Sequence, residues 1–338
     1  MSRSHYSTPD PEFTALESQL PPPPSAGADA VAIRTGFAEV VVPHIMRTYE
    51  YRLPPTSDYK VEDREIPVHG GEIRLRCLTP SPENAEGKTF PLMYWIHGGG
   101  WFQGSIDIDD YILRTWCVEF QISIVNVNYR LAPEYKYPTG LNDVYAGLKW
   151  AAENASLLSA SLSRGFIVAG LSAGGNLAIV TTHRARDDPF FADKKITGNL
   201  LMIPVTCHPE AYPEEYKSEL TSIEENRNAP AFNTADLYAC YEFLGAPDPK
   251  DPDLSPLLHY SHKGLPPTHL QVCGRDPLRD EAILYEKLLR EAGIKTRISV
   301  YPGVPHHFHY FFPQITLSMK FVEESKYGLR WLLNQTAA

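Results

Sequence analysis

The residue best placed to do chemistry in this chain is a serine between two glycines, in Gly170-Leu171-Ser172-Ala173-Gly174. It follows the apolar run Phe166-Ile167-Val168-Ala169 and precedes a helical run from Asn176 to Arg186. The segment therefore reads as strand, sharp turn and helix, with the serine at the apex. So tight a turn holds the serine in a strained backbone conformation. It also demands neighbours two positions away that are almost free of side chain, so that strand and helix can approach each other. Gly170 and Gly174 meet that demand. The geometry lifts the hydroxyl into a cleft and aims the first amides of the helix at the same spot, where they would stabilise an oxyanion. With 22 glycines in 338 residues such a string also arises by chance, and the flanking strand and helix are what make it specific.

A second glycine-rich turn lies upstream, His97-Gly98-Gly99-Gly100-Trp101, after the apolar stretch Phe90 to Ile96 that reads as a buried strand. Three consecutive glycines waste conformational entropy unless the backbone itself is needed. Here the need is for bare amides that reach a tetrahedral oxyanion, worth about 3 kcal/mol per donor. A flexible hairpin turn is the plain alternative. His97 is expected to brace this loop rather than to move protons. Trp101 is expected to wall a substrate pocket, an ordinary core tryptophan being the competing role.

A nucleophilic serine needs a base, and the base needs an orienting carboxylate. Thr268 to Cys273 reads as a strand, and Gly274-Arg275-Asp276-Pro277-Leu278-Arg279-Asp280-Glu281 as a loop opening a helix. Asp276 stands just past the strand end, where open parallel sheets place their chemistry. Asp280 is the rival carboxylate, but its place at the helix start is explained by capping and the helix dipole. After that helix, Thr296 to Tyr301 reads as the last strand. Pro302-Gly303-Val304-Pro305 then reads as a turn into His306-His307-Phe308-His309. His306 is the first choice for the base and His307 the second. A metal on these histidines is not expected, because no acidic or cysteine ligands stand at a recognised spacing nearby.

With these motifs in hand, the chain resembles the hormone-sensitive lipase family of α/β-hydrolases, from about residue 60 to 335. The resemblance rests on the histidine-glycine loop at 97–100, the elbow Gly170 to Gly175, the stretch Asp276 to Glu281 and His306 after a glycine-x-proline turn. It rests also on Tyr129-Arg130-Leu131-Ala132-Pro133-Glu134. It implies an α/β-hydrolase fold, a mostly parallel eight-stranded sheet flanked by helices, with a helical cap. It implies an oxyanion hole at the amides of Gly99, Gly100 and Ala173, and a catalytic triad of Ser172, Asp276 and His306. The activity implied is that of a serine carboxylesterase acting on short- to medium-chain esters through an acyl-enzyme, with no cofactor. An amidase or formamidase with the same triad is the alternative. A non-catalytic receptor similar to gibberellin receptors is a third reading, against which the histidine speaks. Two positions depart from the family pattern. Leu171 stands where relatives carry aspartate, glutamate or threonine, and His307 where a glycine commonly follows the catalytic histidine.

Strands alternating with helices argue for a parallel sheet, and 43% hydrophobic residues allow one large core. The expected partition is a catalytic domain of residues 56–206 and 263–338 with a cap in two parts. Residues 1–55 form the first part, with the stiff Pro21-Pro22-Pro23-Pro24 and a helical stretch near Ala28 to Thr48. Residues 207–262 form the second, with a helix from Thr234 to Phe243. Arg130 and Glu134, following the strand Ile122 to Asn128, are expected to form an internal charged pair beneath the active-site loops. A formal charge of −10 argues against nucleic acid or an anionic membrane as partner, and no apolar run is long enough for a membrane span. Five cysteines without paired spacing and no apolar leader point to free thiols and a cytoplasmic protein. The expected partner is a small-molecule ester. Oligomeric state is left open, a homodimer included.

Overall fold

The computed structural model describes residues 3–22, 28–83 and 87–335. Part of the tetraproline segment, Pro23 and Pro24, lies outside them. Eight strands form one sheet: β1 (Tyr59–Val68), β2 (Gly71–Pro80), β3 (Leu92–Ile96), β4 (Ser123–Asn128), β5 (Phe166–Leu171), β6 (Gly198–Met202), β7 (Thr268–Arg275) and β8 (Thr296–Pro305). Their spatial order is β1-β2-β4-β3-β5-β6-β7-β8. The β1–β2 and β2–β4 pairings are antiparallel and all others parallel.

The central strands β3, β5 and β6 are buried along their whole length. Such continuous apolar strands are possible only when helices cover both faces of the sheet. One face, with Tyr94, Ile96, Val125 and Val168, packs beneath the helices Thr139–Glu153, Ala173–Asp187 and Arg279–Glu291. The other, with Met93, Trp95, Ile124 and Leu200, packs beneath Asp110–Phe120 and Thr316–Asn334. The edge strand β1 is instead mostly exposed and carries Lys60, Glu62, Asp63, Arg64 and Glu65. Charges of this kind discourage edge-to-edge pairing with another chain.

Strand order creates the position of the site. From β3 the chain crosses to β4 on one side, whereas β5 pairs on the other, so the loops after β3 and β5 leave adjacent strand ends. Ile96 lies in register with Gly170, which sets the glycine-rich turn beside Ser172. On β7 and β8 a register shift after Cys273 brings Arg275 opposite Pro305. Asp276 and His306 therefore step off neighbouring strands side by side.

Three sequence-based expectations are corrected here. Pro302 to Pro305 is not a turn, because β8 continues through it to Pro305. Gly303, at φ 74°, allows this by letting the backbone pass close to Thr8 and Asp10 of the N-terminal segment. The helix expected from Ala28 to Thr48 begins at Ala30 and is interrupted by a π-turn at Phe37–Val41, which ends two residues before Pro43. A proline without an N–H cannot complete the ordinary helical ladder, and a local wide turn absorbs the defect. Arg130 and Glu134 do not pair with each other. Arg130 binds the buried Asp143 at 2.7 Å, whereas Glu134 faces solvent and binds Arg34 at 2.7 Å. A strand-end motif says nothing about which distant helix supplies the counter-charge.

Candidate active site

Ser172 sits at φ 55° and ψ −120° between β5 and the helix Ala173–Asp187. That conformation is costly for a side chain larger than glycine and persists only where the surroundings enforce it. Close packing enforces it: a Cβ on Gly170 would overlap the Gly174 carbonyl, and one on Gly174 the carbonyls of Ile96 and His97. The Ser172 amide is anchored to the Met202 carbonyl of β6 at 2.8 Å. Leu171, where the family pattern has a polar residue, is buried and packs against Gly98.

His306 lies between Ser172 and Asp276. Its Nε2 is 2.8 Å from Ser172 Oγ, and its Nδ1 is 2.6 Å from Asp276 Oδ2. The other carboxylate oxygen of Asp276 accepts the Leu278 amide at 2.9 Å, and its backbone carbonyl accepts Asn226 Nδ2 at 3.0 Å. With Nδ1–H donating to the carboxylate, Nε2 is left free to accept the serine proton. The ring of Phe232 covers the imidazole at a centroid distance of 4.8 Å, and His306 is wholly buried.

The neighbouring imidazole takes a different part. His307 has φ 61°, which explains why a glycine suits this position. Its ring stacks on Tyr310 at 5.6 Å, and burial lowers its pKa well below the ordinary imidazole value. Among the described residues it makes no hydrogen bond to Ser172 or Asp276. Asp280, the rival carboxylate, is also placed elsewhere. It pairs with Arg279 and accepts the amides of Thr221 and Ser222 at 2.9 and 2.8 Å, so it fastens a distant turn rather than capping only its own helix.

The glycine-rich loop runs through three successive left-handed residues: Gly99 at φ 116°, Gly100 at 58° and Trp101 at 63°. Phe102 and Gln103 amides donate to the Gly99 carbonyl at 3.2 and 3.0 Å, closing the turn. Cys240 packs so closely on Gly100 that a Cβ there would sit 2.5 Å from its sulfur. Among the described residues the Gly99 and Gly100 amides have no carbonyl partner. The Ala173 amide opens the helix after Ser172, where no intrahelical acceptor exists.

His97 braces this loop. Its Nδ1–H donates to the Gly98 carbonyl at 2.8 Å, and its ring stacks on Tyr129 at 4.4 Å. Burial pushes its pKa down to about 4, so it is neutral. Trp101 lines a cavity of ≈ 10 Å³ with Tyr129, Leu141, Asn176, Leu177 and Leu254, about the room one water needs. The cavity lies one turn along the helix from Ser172, and neither Ser172 nor His306 is among its walls.

Four supporting residues were given no role from the sequence: Arg34, Asn226, Phe232 and Glu281, the last quoted only as the end of a motif. Glu281 is fully buried, and burial pushes its pKa up to about 8. It accepts the Thr206 and Cys207 amides and the Tyr212 hydroxyl at 2.7, 3.2 and 2.9 Å, fixing the chain after β6. Its place two residues beyond Arg279 in a helix that buries one face was the available signal. Asn226 and Phe232 belong to the stretch 207–262, which has little periodicity, and offered none. All five cysteines are free and buried. Among the described residues no group of three or more His, Cys, Asp or Glu side chains could hold a metal ion, and no helix is long and apolar enough to cross a membrane.

Residues 93–310 match the family model described as alpha/beta hydrolase fold. The chain is 39% identical to an AB hydrolase superfamily protein of Schizosaccharomyces pombe, over 83% of this chain and 82% of that protein. It is 35% identical to the versiconal hemiacetal acetate esterase of Dothistroma septosporum, over 83% of this chain and 84% of that protein. Among solved structures, a vibralactone cyclase superposes with a TM-score of 0.96 at 46% identity, covering 99% of this chain and 97% of that one. An esterase of Pyrobaculum calidifontis superposes at 0.79 with 29% identity, covering 98% of this chain and 100% of that one. A serine at a strained strand-to-helix turn, an adjacent glycine-rich loop and likeness along most of the chain agree: the protein belongs to the α/β-hydrolase fold family, among its hormone-sensitive-lipase-like carboxylesterases.

Proposed function

We propose that this protein hydrolyses short- to medium-chain carboxylic esters through an acyl-enzyme. The observation that carries the reading is the unbroken path from Asp276 through His306 to Ser172, lying beside the Gly99 and Gly100 amides, which have no carbonyl partner among the described residues. Ser172 attacks the ester carbonyl while His306 Nε2 takes its proton. Asp276 holds the ring and stabilises the imidazolium. The tetrahedral oxyanion is held by the amides of Gly99, Gly100 and Ala173. Collapse of the intermediate passes the proton to the departing alcohol. A water deprotonated by His306 then attacks the acyl-enzyme and releases the acid. No cofactor enters these steps.

The acetate ester named for one relative supports a small acyl group. A two-part cap of residues 1–55 and 207–262 is supported by Arg34 on the Phe102 carbonyl from the first part, and by Phe232 over His306, Asn226 on Asp276 and Cys240 against Gly100 from the second. Free, buried thiols favour a reducing compartment such as the cytoplasm. Likeness to a vibralactone cyclase over nearly the whole chain favours a second reading, in which a nucleophile within the substrate replaces water and the acyl-enzyme closes to a ring.

Ser172→Ala should reduce turnover of an aryl acetate by a factor on the order of a million, since the triad acts as a unit. Retention of more than about a tenth of the activity rules Ser172 out as nucleophile. Aryl esters from two to twelve acyl carbons, run beside an aryl formamide, separate esterase from amidase.

A further inference from the structure

One guanidinium from the N-terminal helix reaches into the loop that carries the unpaired amides. Arg34 Nε donates to the Phe102 carbonyl at 2.7 Å and Nη2 to the Ala132 carbonyl at 2.6 Å. Its Nη1 and Nη2 meet the two oxygens of Glu134 at 3.0 and 2.7 Å, a forked pairing that fixes the plane of the guanidinium. The two loops so gripped are joined directly as well, because the Ala132 amide donates to the Trp101 carbonyl at 3.0 Å. Arg34 therefore closes a ring of contacts around residues 99–102 and 132–134.

The loop needs such support. Trp101 is not a glycine, yet it holds φ 63° after two left-handed glycines, a conformation that a residue with a side chain adopts only at a cost. Bonds from Phe102 and Gln103 back to Gly99 shape the turn internally but do not orient it relative to Ser172. Orientation must come from outside the turn, and at Phe102 it comes from Arg34. A lysine would not serve, since one ammonium cannot span two carbonyls and a carboxylate in a fixed plane. Binding to Arg34 also holds the Glu134 carboxyl below its usual pKa, so Glu134 keeps its charge.

We propose that Arg34 is a positioning residue: by locking the Phe102 and Ala132 carbonyls it sets the Gly99 and Gly100 amides where the Ser172 oxyanion forms, and Glu134 orients it. The inference rests on the reading of those amides as oxyanion donors. It makes the N-terminal helix part of the catalytic geometry as well as a cover.

The test compares wild type with Arg34→Ala, Arg34→Lys and Glu134→Gln. Four quantities are measured: kcat and KM on an aryl acetate, the rate of Ser172 labelling by a fluorophosphonate, and amide hydrogen exchange in the peptide spanning 98–103. Displaced rather than deleted donors should cost Arg34→Ala about 10- to 100-fold in kcat and in labelling rate. KM should stay within about threefold and exchange in the loop should quicken. Added guanidinium at millimolar concentration should restore part of the rate. Arg34→Lys should resemble Arg34→Ala, and Glu134→Gln should fall between that variant and wild type. Labelling and kcat within about twofold of wild type overturn the proposal. So does a loss that vanishes when rates are referred to titrated active sites and leaves exchange unchanged. If Arg34→Ala does not fold, the exposed Glu134→Gln decides by the same criteria. A wild type that is labelled yet hydrolyses no ester sinks the esterase reading, while labelling and exchange still judge the clamp.

Discussion

Replacing Asp276 with asparagine tests the proposed mechanism where the structure is most explicit. Asp276 divides its oxygens between two donors, His306 Nδ1 at 2.6 Å and the Leu278 amide at 2.9 Å. An asparagine of the same shape has one acceptor and one donor for these two places. If its oxygen stays on the Leu278 amide, its NH₂ faces His306 Nδ1. The ring must then carry its proton on Nε2, the tautomer that cannot accept the serine proton. The flipped amide would restore the useful tautomer but set NH₂ against the Leu278 N–H, leaving a buried donor unpaired at a cost of about 1–3 kcal/mol. The unproductive orientation therefore dominates by roughly ten- to a hundredfold. Adding the lost stabilisation of the imidazolium, kcat should fall on the order of 10⁴-fold, equivalent to about 5.5 kcal/mol of barrier. Because the Leu278 bond survives, the melting temperature should move by only a few degrees. Steady-state hydrolysis of an aryl acetate, normalised to folded protein by circular dichroism, measures both. A folded Asp276→Asn that keeps more than about one-fiftieth of wild-type kcat would falsify the tautomer argument.

Two further outcomes follow from the same geometry. His306→Ala should fall to the background rate of Ser172→Ala. His307→Gly, which relieves a left-handed residue, should keep kcat within about tenfold, and the reverse pattern would move the base by one position. Acid should destabilise the fold through buried neutral histidines. Burial pushes His97, His262 and His269 down to about 4, His309 to about 3 and His183 to about 2, whereas the unfolded imidazole titrates near 6.5. Between roughly pH 6.5 and 4 the unfolded chain thus binds more protons, and each histidine costs up to about 1.4 kcal/mol per pH unit as pH falls. Asp109 and Glu281, raised by burial to about 6 and about 8, act in the opposite sense, but these two carboxyls oppose five histidines. The urea midpoint should therefore drop between pH 7 and 5, and an unchanged midpoint would contradict this assignment of neutral histidines.

Much of the site was legible because its demands are local. The turn at Ser172 needs glycines two positions away, whatever surrounds it, since strand and helix backbones touch there. Bare amides at 99 and 100 likewise require residues without Cβ. Runs of buried apolar residues marked β3 and β5 for the same reason: their environment is apolar on both faces.

Other features depend on partners far along the chain. Which of His306 and His307 stands beside Asp276 depended on the β7–β8 register, which sets one imidazole against that carboxylate and turns the next toward Tyr310. The counter-charge of Arg130 proved to be Asp143, and that of Glu134 proved to be Arg34, a hundred residues upstream. Phe232 over His306 likewise comes from a segment whose own sequence carries no mark of the contact. Backbone sterics and hydrophobic burial are written residue by residue and can be read from the chain alone. Hydrogen bonds and ion pairs between distant segments are selected by where packed strands and helices bring their ends, and that only the assembled tertiary structure decides.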